Sequence, residues 1–275
     1  MNKMALIDKC RKVSESKQIN FNTVLVTYFF EQFLKRLSHS KYKDAYLFKG
    51  GLFIYSLTGI NYRYTTDIDF SINKNKLNLE TLLEEINEIL NININDGIKY
   101  EVLDSLEIKE NDENGGFKIK VRAIMENMKI PFSIDIALND PITPKAIGHE
   151  YKTLVDDEYI KLTSYNIETV IAEKLETVVS RKTGNSRSKD FYDLYILFKL
   201  KSKIINREIL QEAIKTTFEH RERIFLEKEV FELLEYIKED KLFIERWKRF
   251  SRNNIFAKGL DFKNVIDFVV KSLKK

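Results

Sequence analysis

The sequence predicts an α+β protein, with a mixed-sheet domain carrying N-terminal helices over residues 1–155 and an all-α domain over residues 156–275. Three observations carry that expectation. Residues 65–72 and 131–138 alternate apolar and polar side chains, the period of a strand with one buried face. From about residue 164 to the end, apolar residues recur at helical spacing instead. Only three prolines and nine glycines occur in 275 residues, so regular elements should be long and loops few.

Taken in order, a short helix is expected near 4–16, with Cys10 packed inside, and a second over 20–38, where NFNTVLVTYFFEQFLKRLS repeats apolar positions at helical spacing. A glycine turn, Gly50-Gly51, leads into a helix start, and the acidic strand comes next at about 65–72. Residues 79–90 read as a helix. Strands at 100–108 and 117–125 are joined through Asn114-Gly115-Gly116, a hairpin signal. In 131–138, Phe132, Ile134, Ile136 and Leu138 face one side and Ser133, Asp135 and Ala137 the other, and Pro141 and Pro144 punctuate the segment beyond that strand. No Gly/Ser linker separates the two domains, so rigid packing is expected, with a cleft between them as the natural ligand site.

Charged residues make up 32% and hydrophobic residues 43%, which describes a folded globular chain and excludes a disordered one. The single cysteine excludes an internal disulfide framework and a cysteine-based zinc site. Three scattered histidines, His39, His149 and His220, argue against a histidine-rich metal centre. The segment MNKMALIDKCRKVSE is charged throughout and lacks an apolar signal core, and no stretch approaches the roughly 18 apolar residues of a membrane span. A cytoplasmic protein without a membrane partner is therefore expected. The net charge of +4 is unevenly placed: residues 241–275 hold ten Lys/Arg and three Asp/Glu, a net +7 that leaves −3 elsewhere. That excess fits a solvated helical face or a contact with nucleic-acid phosphates.

The chemistry concentrates in KGGLFIYSLTGINYRYTTDIDF, residues 49–70. In an extended strand Asp67 and Asp69 point to one face while Ile68 and Phe70 point to the core. Two carboxylates that close repel unless a cation lies between them, and hard oxygen ligands suit Mg²⁺. A glycine turn at a helix start offers backbone N–H groups to phosphate oxygens. Asp135 lies on a strand that alternates in the same way; if the strands are neighbours, three carboxylates converge as two-metal phosphoryl chemistry requires. The alternative is an ordinary solvent-facing aspartate. A D-x-D pair also occurs in haloacid dehalogenase-type phosphatases and metal-dependent glycosyltransferases, but glycines that precede the acids disfavour the phosphatase.

A second group lies on NIETVIAEKLETVVSR. Ile167, Val170, Ile171, Val178 and Val179 set an apolar stripe, and at 100° per residue Lys174 and Arg181 fall within roughly 20° and 40° of Ile167. Such cations either snorkel at the stripe edge or enter a cleft lined by acids or phosphates. The next residues add Arg187, Lys189, Asp190 and Asp193. The two acids lie at i,i+3, opposite the Phe191/Leu194/Tyr195/Phe198 face, and either complement the helix dipole or orient Lys174 or Arg181. Trp247, among basic neighbours, is a helix-packing anchor or a base-stacking platform.

With these motifs in order, the chain resembles the AbiEii/AbiGii-type nucleotidyltransferases, MenT-like toxins of bacterial toxin–antitoxin and phage-abortive systems within the polymerase-β-like superfamily. The resemblance rests on Gly50-Gly51, Arg63-Tyr64-Thr65-Thr66-Asp67-Ile68-Asp69, Ala172-Glu173-Lys174-Leu175, Arg181 and Lys189-Asp190-Phe191-Tyr192-Asp193, and covers about residues 45–200. It implies a nucleotidyltransferase-type sheet domain. Asp67, Asp69 and Asp135 would hold Mg²⁺, with Mn²⁺ as an alternative. Lys49, Gly50, Gly51, Arg63, Thr66, Lys174, Arg181 and Arg187 would bind the nucleotide, and Asp190 and Asp193 would support Lys174 in catalysis. It further implies an NTP substrate, an RNA acceptor such as a tRNA 3′ end, and an antitoxin encoded by a neighbouring gene. Nucleotide transfer to a protein hydroxyl or small molecule, and a nucleotide-binding regulatory module without turnover, are the competing readings. The turn departs from the wider superfamily in carrying Gly51 where serine is frequent, and the interval from glycines to acids is slightly long.

Overall fold

The computed structural model describes residues 2–74, 77–108, 115–181 and 188–274. The described chain divides into two compact units, Met1–Leu57 with Tyr64–Asp140 and Ala146–Ser164, and Thr58–Arg63 with Pro141–Lys145 and Tyr165–Lys275.

The first unit is built on a seven-stranded mixed sheet. Its strands are β1 (Leu47–Lys49), β2 (Asp67–Ile72), β3 (Lys99–Ile108), β4 (Gly116–Met125), β5 (Met128–Leu138), β6 (Ile147–Lys152) and β7 (Tyr159–Ser164), in the order β3-β4-β5-β2-β1-β7-β6. The β2–β5 and β1–β7 pairs are parallel and the others antiparallel. Helices α1 (Lys3–Lys17), α2 (Phe21–His39), α3 (Gly50–Thr58) and α4 (Leu79–Leu90) accompany it. Asn2, Asn20 and Asn78 start α1, α2 and α4 by accepting amide hydrogens of the first turn on their side chains.

Along α2, phenylalanines three residues apart fall on one face: Phe30 packs edge-on against Phe132 of β5, and Phe33 meets Phe132 and Phe70 of β2. Each such ring stabilises the fold by roughly 1.5–3 kcal/mol through burial. Ile68, Phe70, Ile134 and Ile136 are consumed in this core. The alternate residues of β2 and β5 are therefore turned to the opposite face, and that is what presents the acids.

The second unit is helical: α5 (Ile167–Arg181), α6 (Ser188–Lys201), α7 (Arg207–His220), α8 (Glu227–Glu239), α9 (Lys241–Asn253) and α10 (Phe262–Leu273). Asn166 caps α5 by accepting from the Thr169 amide, and its Nδ2 donates to the Thr143 carbonyl, tying the 141–145 segment to the helix start. Trp247 is buried, its Nε1–H donating to the Leu260 carbonyl at 2.8 Å, which makes it a packing anchor and removes it as a base-stacking platform.

The α+β expectation holds, and helices run from residue 167 onward. Strands β6 and β7, to which the sequence pattern assigns no element, extend the sheet to Ser164. The β3–β4 pair is antiparallel as expected, although Asn114 of the anticipated hairpin turn lies outside the described residues. Cys10 is buried in α1.

Glu31 of α2 is fully buried, its Oε1 accepting from the Leu154 amide at 2.7 Å and the Tyr151 hydroxyl at 3.2 Å. Burial raises its carboxyl from 4.5 to about 8, against the opposing pull of those two donors and of Lys35, while Asp156 adds to the rise. A raised carboxyl contributes stability that is complete below pH 4.5 and lost as pH rises through 8, at up to about 1.4 kcal/mol per pH unit. Urea midpoints of wild type and Glu31→Gln between pH 5 and 8 should diverge, the variant lacking the wild-type decline. Parallel curves would show that the buried carboxyl does not titrate in that window.

Candidate active site

The site is assembled around the reversal from β1 into α3. Gly50 has φ +67°, in the left-handed region, and a Cβ built there would lie 2.0 Å from Oδ2 of Asp69 and 2.5 Å from its Cβ. No residue with a side chain fits without displacing that carboxylate. Gly51 N–H donates to Asp69 Oδ2 at 3.1 Å, so the acid sits at the first free amides of α3, where the helix dipole favours negative charge. The β1–β2 register sets Lys49 opposite Asp69, and the Lys49 ammonium pairs with buried Asp140 at 2.6 Å.

Asp67 and Asp69 share the outer face of β2, as the alternation requires. The neighbouring strand is β5, in parallel register with Asp69 opposite Asp135. The sheet thus supplies the adjacency on which the third carboxylate depended. One strand further out, β4 places Lys118 opposite Asp135, and its ammonium lies 2.8 Å from Asp135 Oδ2. A row Asp69–Asp135–Lys118 therefore crosses three adjacent strands, which pack about 4.8 Å apart. Thr65 donates its hydroxyl to Asp67 Oδ1. Thr66 is exposed at the start of the strand.

Three carboxylates on one sheet face are the hard-oxygen donor set of a divalent cation, and the room at Gly50 admits the Asp69 carboxylate to that face. Each acid also has a counter-group here: the Thr65 hydroxyl for Asp67, the Gly51 amide for Asp69 and the Lys118 ammonium for Asp135. Among the described residues, no three acidic, histidine or cysteine side chains converge closely enough to hold an ion. The residues fit the chemistry of a divalent metal, with their carboxylates turned to protein partners.

The second constellation belongs to the helical unit. Lys174 of α5 lies 2.7 Å from Asp190 Oδ1 and 3.2 Å from Asp193 Oδ2, and Arg63 Nε lies 2.7 Å from Asp193 Oδ1. Tyr192 holds the Arg63 segment by donating its hydroxyl to the Tyr62 carbonyl at 2.6 Å. The Asp190 and Asp193 side chains are 1% and 0% exposed. This corrects the reading of α6 as amphipathic with its acids opposite an apolar face: the helix is buried on every side from Asp190 to Phe198. Acids in such a helix require cations, and Lys174 and Arg63 supply them.

Burial alone would raise the Asp193 carboxyl, but Arg63 and then Lys174 outweigh it and hold it below the ordinary aspartate value. Burial alone would lower the Lys174 ammonium, but Asp190 and then Asp193 outweigh it and hold it above the ordinary lysine value. Both groups stay charged at neutral pH, so Lys174 is a fixed cation and not a general base. Arg181 ends α5, half-buried. Arg187 lies outside the described residues.

Sequence reasoning missed Lys118. Its signal is the alternation Lys118-Ile119-Lys120-Val121-Arg122, which puts three cations on the polar face of β4, but only the pairing of β4 with β5 shows that Lys118 meets Asp135. A buried acid, Glu176 of α5, with Arg221 and Arg223 as ion-pair partners, was missed as well.

A mixed sheet with acids on adjacent strands beside a glycine reversal fits one class of enzyme, and the family match below makes the protein a nucleotidyltransferase. Residues 32–267 match the family described as nucleotidyl transferase AbiEii toxin, type IV toxin–antitoxin system, and the chain belongs to that family. Among solved structures, it is similar to JHP933 from Helicobacter pylori, at 16% identity and a TM-score of 0.53 over 92% of this chain and 89% of that one. A second H. pylori structure, described as a candidate nucleotidyltransferase, has 16% identity and a TM-score of 0.52 over 93% and 95% of the two chains. At that identity the likeness is one of fold. No curated protein matches the sequence.

Two outcomes are expected from this geometry. Gly50→Ala introduces a strained φ, costing about 1–2 kcal/mol, and drives the Asp69 carboxylate aside. Nucleotidyl transfer should fall at least about 100-fold while the protein still melts cooperatively; wild-type turnover in the variant would refute the close approach. Asp193→Asn removes an anion that two cations face and should lower unfolding stability by about 3–5 kcal/mol. Asp67→Asn, on a half-buried strand end, should change it by no more than about 1 kcal/mol. Equal urea midpoints for the two variants would mean that the helical cluster is not a structural charge centre.

Proposed function

We propose that this nucleotidyltransferase is the toxin of a bacterial toxin–antitoxin or phage-abortive pair, that it transfers a nucleotide from an NTP to an RNA hydroxyl, and that the acceptor is a tRNA 3′ end. The observation that supports this most is the register of Asp69 with Asp135 on neighbouring strands, on the face that Asp67 shares.

In this reading Asp67, Asp69 and Asp135 would hold Mg²⁺ or Mn²⁺ in place of their present contacts with the Thr65 hydroxyl, the Gly51 amide and the Lys118 ammonium. The ion would supply charge neutralisation at the triphosphate and acidify the acceptor hydroxyl. Gly50 and Gly51 let the backbone approach the phosphates, with Lys49 and Thr66 beside them. Asp135 accepts the proton as the acceptor oxygen attacks the α-phosphorus in line; the new P–O bond forms as the bond to the bridging oxygen breaks, and pyrophosphate leaves. Lys174, with Arg181 and Arg187, offsets the negative charge of the leaving pyrophosphate. Asp190 and Asp193 position Lys174, and Arg63 acts through Asp193. The antitoxin is the product of a neighbouring gene.

The test incubates the protein with each NTP, labelled at the α- or γ-phosphate, together with Mg²⁺ and either total tRNA or tRNA-free lysate. Label should enter tRNA from the α-labelled nucleotide only, and Asp67→Ala and Asp69→Ala should abolish it. Label confined to the protein fraction would overturn the RNA acceptor. Full cellular toxicity in both variants would overturn catalysis.

A further inference from the structure

We propose that the exposed face of α9 is the surface on which the RNA acceptor docks, through its phosphates and not its bases. This rests on the RNA reading above. The inner side of α9 is fixed: Phe243 and Trp247 are buried, and both rings pack on Phe262. At 100° per residue the outer side then carries Lys241, Lys248, Arg249 and Arg252, all exposed, with Glu245 the one acid among them.

These cations differ from four other surface lysines of the unit. Lys215, Lys228, Lys238 and Lys263 each meet a glutamate or aspartate within ion-pair distance. Among the described residues, no carboxylate pairs with Lys241, Lys248, Arg249, Arg252 or Lys258. The two aspartates that bracket this segment are committed elsewhere, Asp240 capping α9 and Asp261 capping α10. Cations that repel one another on a single helix face, with one glutamate among them and outnumbering it, form a positive surface for an extended anion.

Spacing favours a nucleic-acid backbone. Lys248 and Arg252 are about one helical turn apart, roughly 6 Å, and Lys241 to Lys248 is roughly 10 Å. An anionic membrane fits less well, because a helix lying in a bilayer surface inserts its apolar side, and in α9 that side is packed within its own unit. With Trp247 buried and hydrogen-bonded to Leu260, the surface lacks an aromatic platform, so contact here tracks the backbone and is indifferent to base sequence.

The test compares wild type, Lys248→Gln/Arg249→Gln/Arg252→Gln and Glu245→Gln, each confirmed folded by thermal melting. Readouts are tRNA binding from 50 to 200 mM salt, tRNA-dependent transfer, and binding to phosphatidylcholine/phosphatidylserine vesicles. The triple variant should lower the slope of log affinity against log salt by about 2–3. At 50 mM salt it should weaken binding about 10- to 100-fold and raise KM for tRNA with little change in kcat. Glu245→Gln should bind tRNA about two- to fivefold more tightly. An unchanged slope and KM in the triple variant would overturn the docking surface while leaving the RNA acceptor standing. Salt-dependent tRNA binding lost in the triple variant, but with no nucleotide transferred to tRNA by wild type, would uphold the surface and overturn the acceptor. No tRNA binding by wild type at 50 mM salt, or a triple variant impaired only on vesicles, would overturn the docking surface.

Discussion

The sheet face that carries the three aspartates depends on one close approach, the Asp69 carboxylate against the backbone at Gly50. The antiparallel β1–β2 register delivers Asp69 to the chain reversal, and there is room for it only because position 50 has no Cβ. The left-handed φ of Gly50 turns the chain into α3, and Gly51 gives its amide to the same carboxylate. Strand pairing, helix start and acid position are therefore one constraint. A side chain at residue 50 would disturb all three together.

How much of this was legible depends on the range of each interaction. Alternation in DIDF and PFSIDIAL fixes which side of each strand the acids occupy, because a period of two is a local property. That β2 and β5 are parallel neighbours, with Asp69 opposite Asp135, is not local; 66 residues separate the two positions and three further elements intervene. Strands β6 and β7 escaped notice because exposed apolar residues, Ile147 and Tyr159, stand at their starts and blur the alternation. Asp190 and Asp193 were legible only in part, since Lys174 stood among their expected partners and Arg63 did not. Acids at i,i+3 read as a polar helix face unless the partner cations are known, and one of those, Arg63, is 130 residues from Asp193.

The two charge groups are of different physical kinds. In the helical unit two aspartates and two cations are sequestered together, and removing one member of such a set typically costs about 3–5 kcal/mol because the others stay buried without compensation. Burial and pairing pull in opposite directions on Asp193 and Lys174, and pairing prevails in both. Those charges are permanent features of the fold, suited to holding a cation in a fixed place.

On the sheet face the same charges are held loosely. The Asp135–Lys118 pair is about one-third exposed on each side, and such pairs are typically worth no more than about 1 kcal/mol. The Thr65 hydroxyl donates to Asp67 and the Gly51 amide to Asp69. Three carboxylates that would repel one another thus each meet a partner that a stronger cation could displace, whereas binding through the buried cluster would require breaking the helical core. Exchange belongs on the sheet and constancy on α5 and α6. The two groups thus differ in what they can do: the first can trade partners, and the second holds its charges in place.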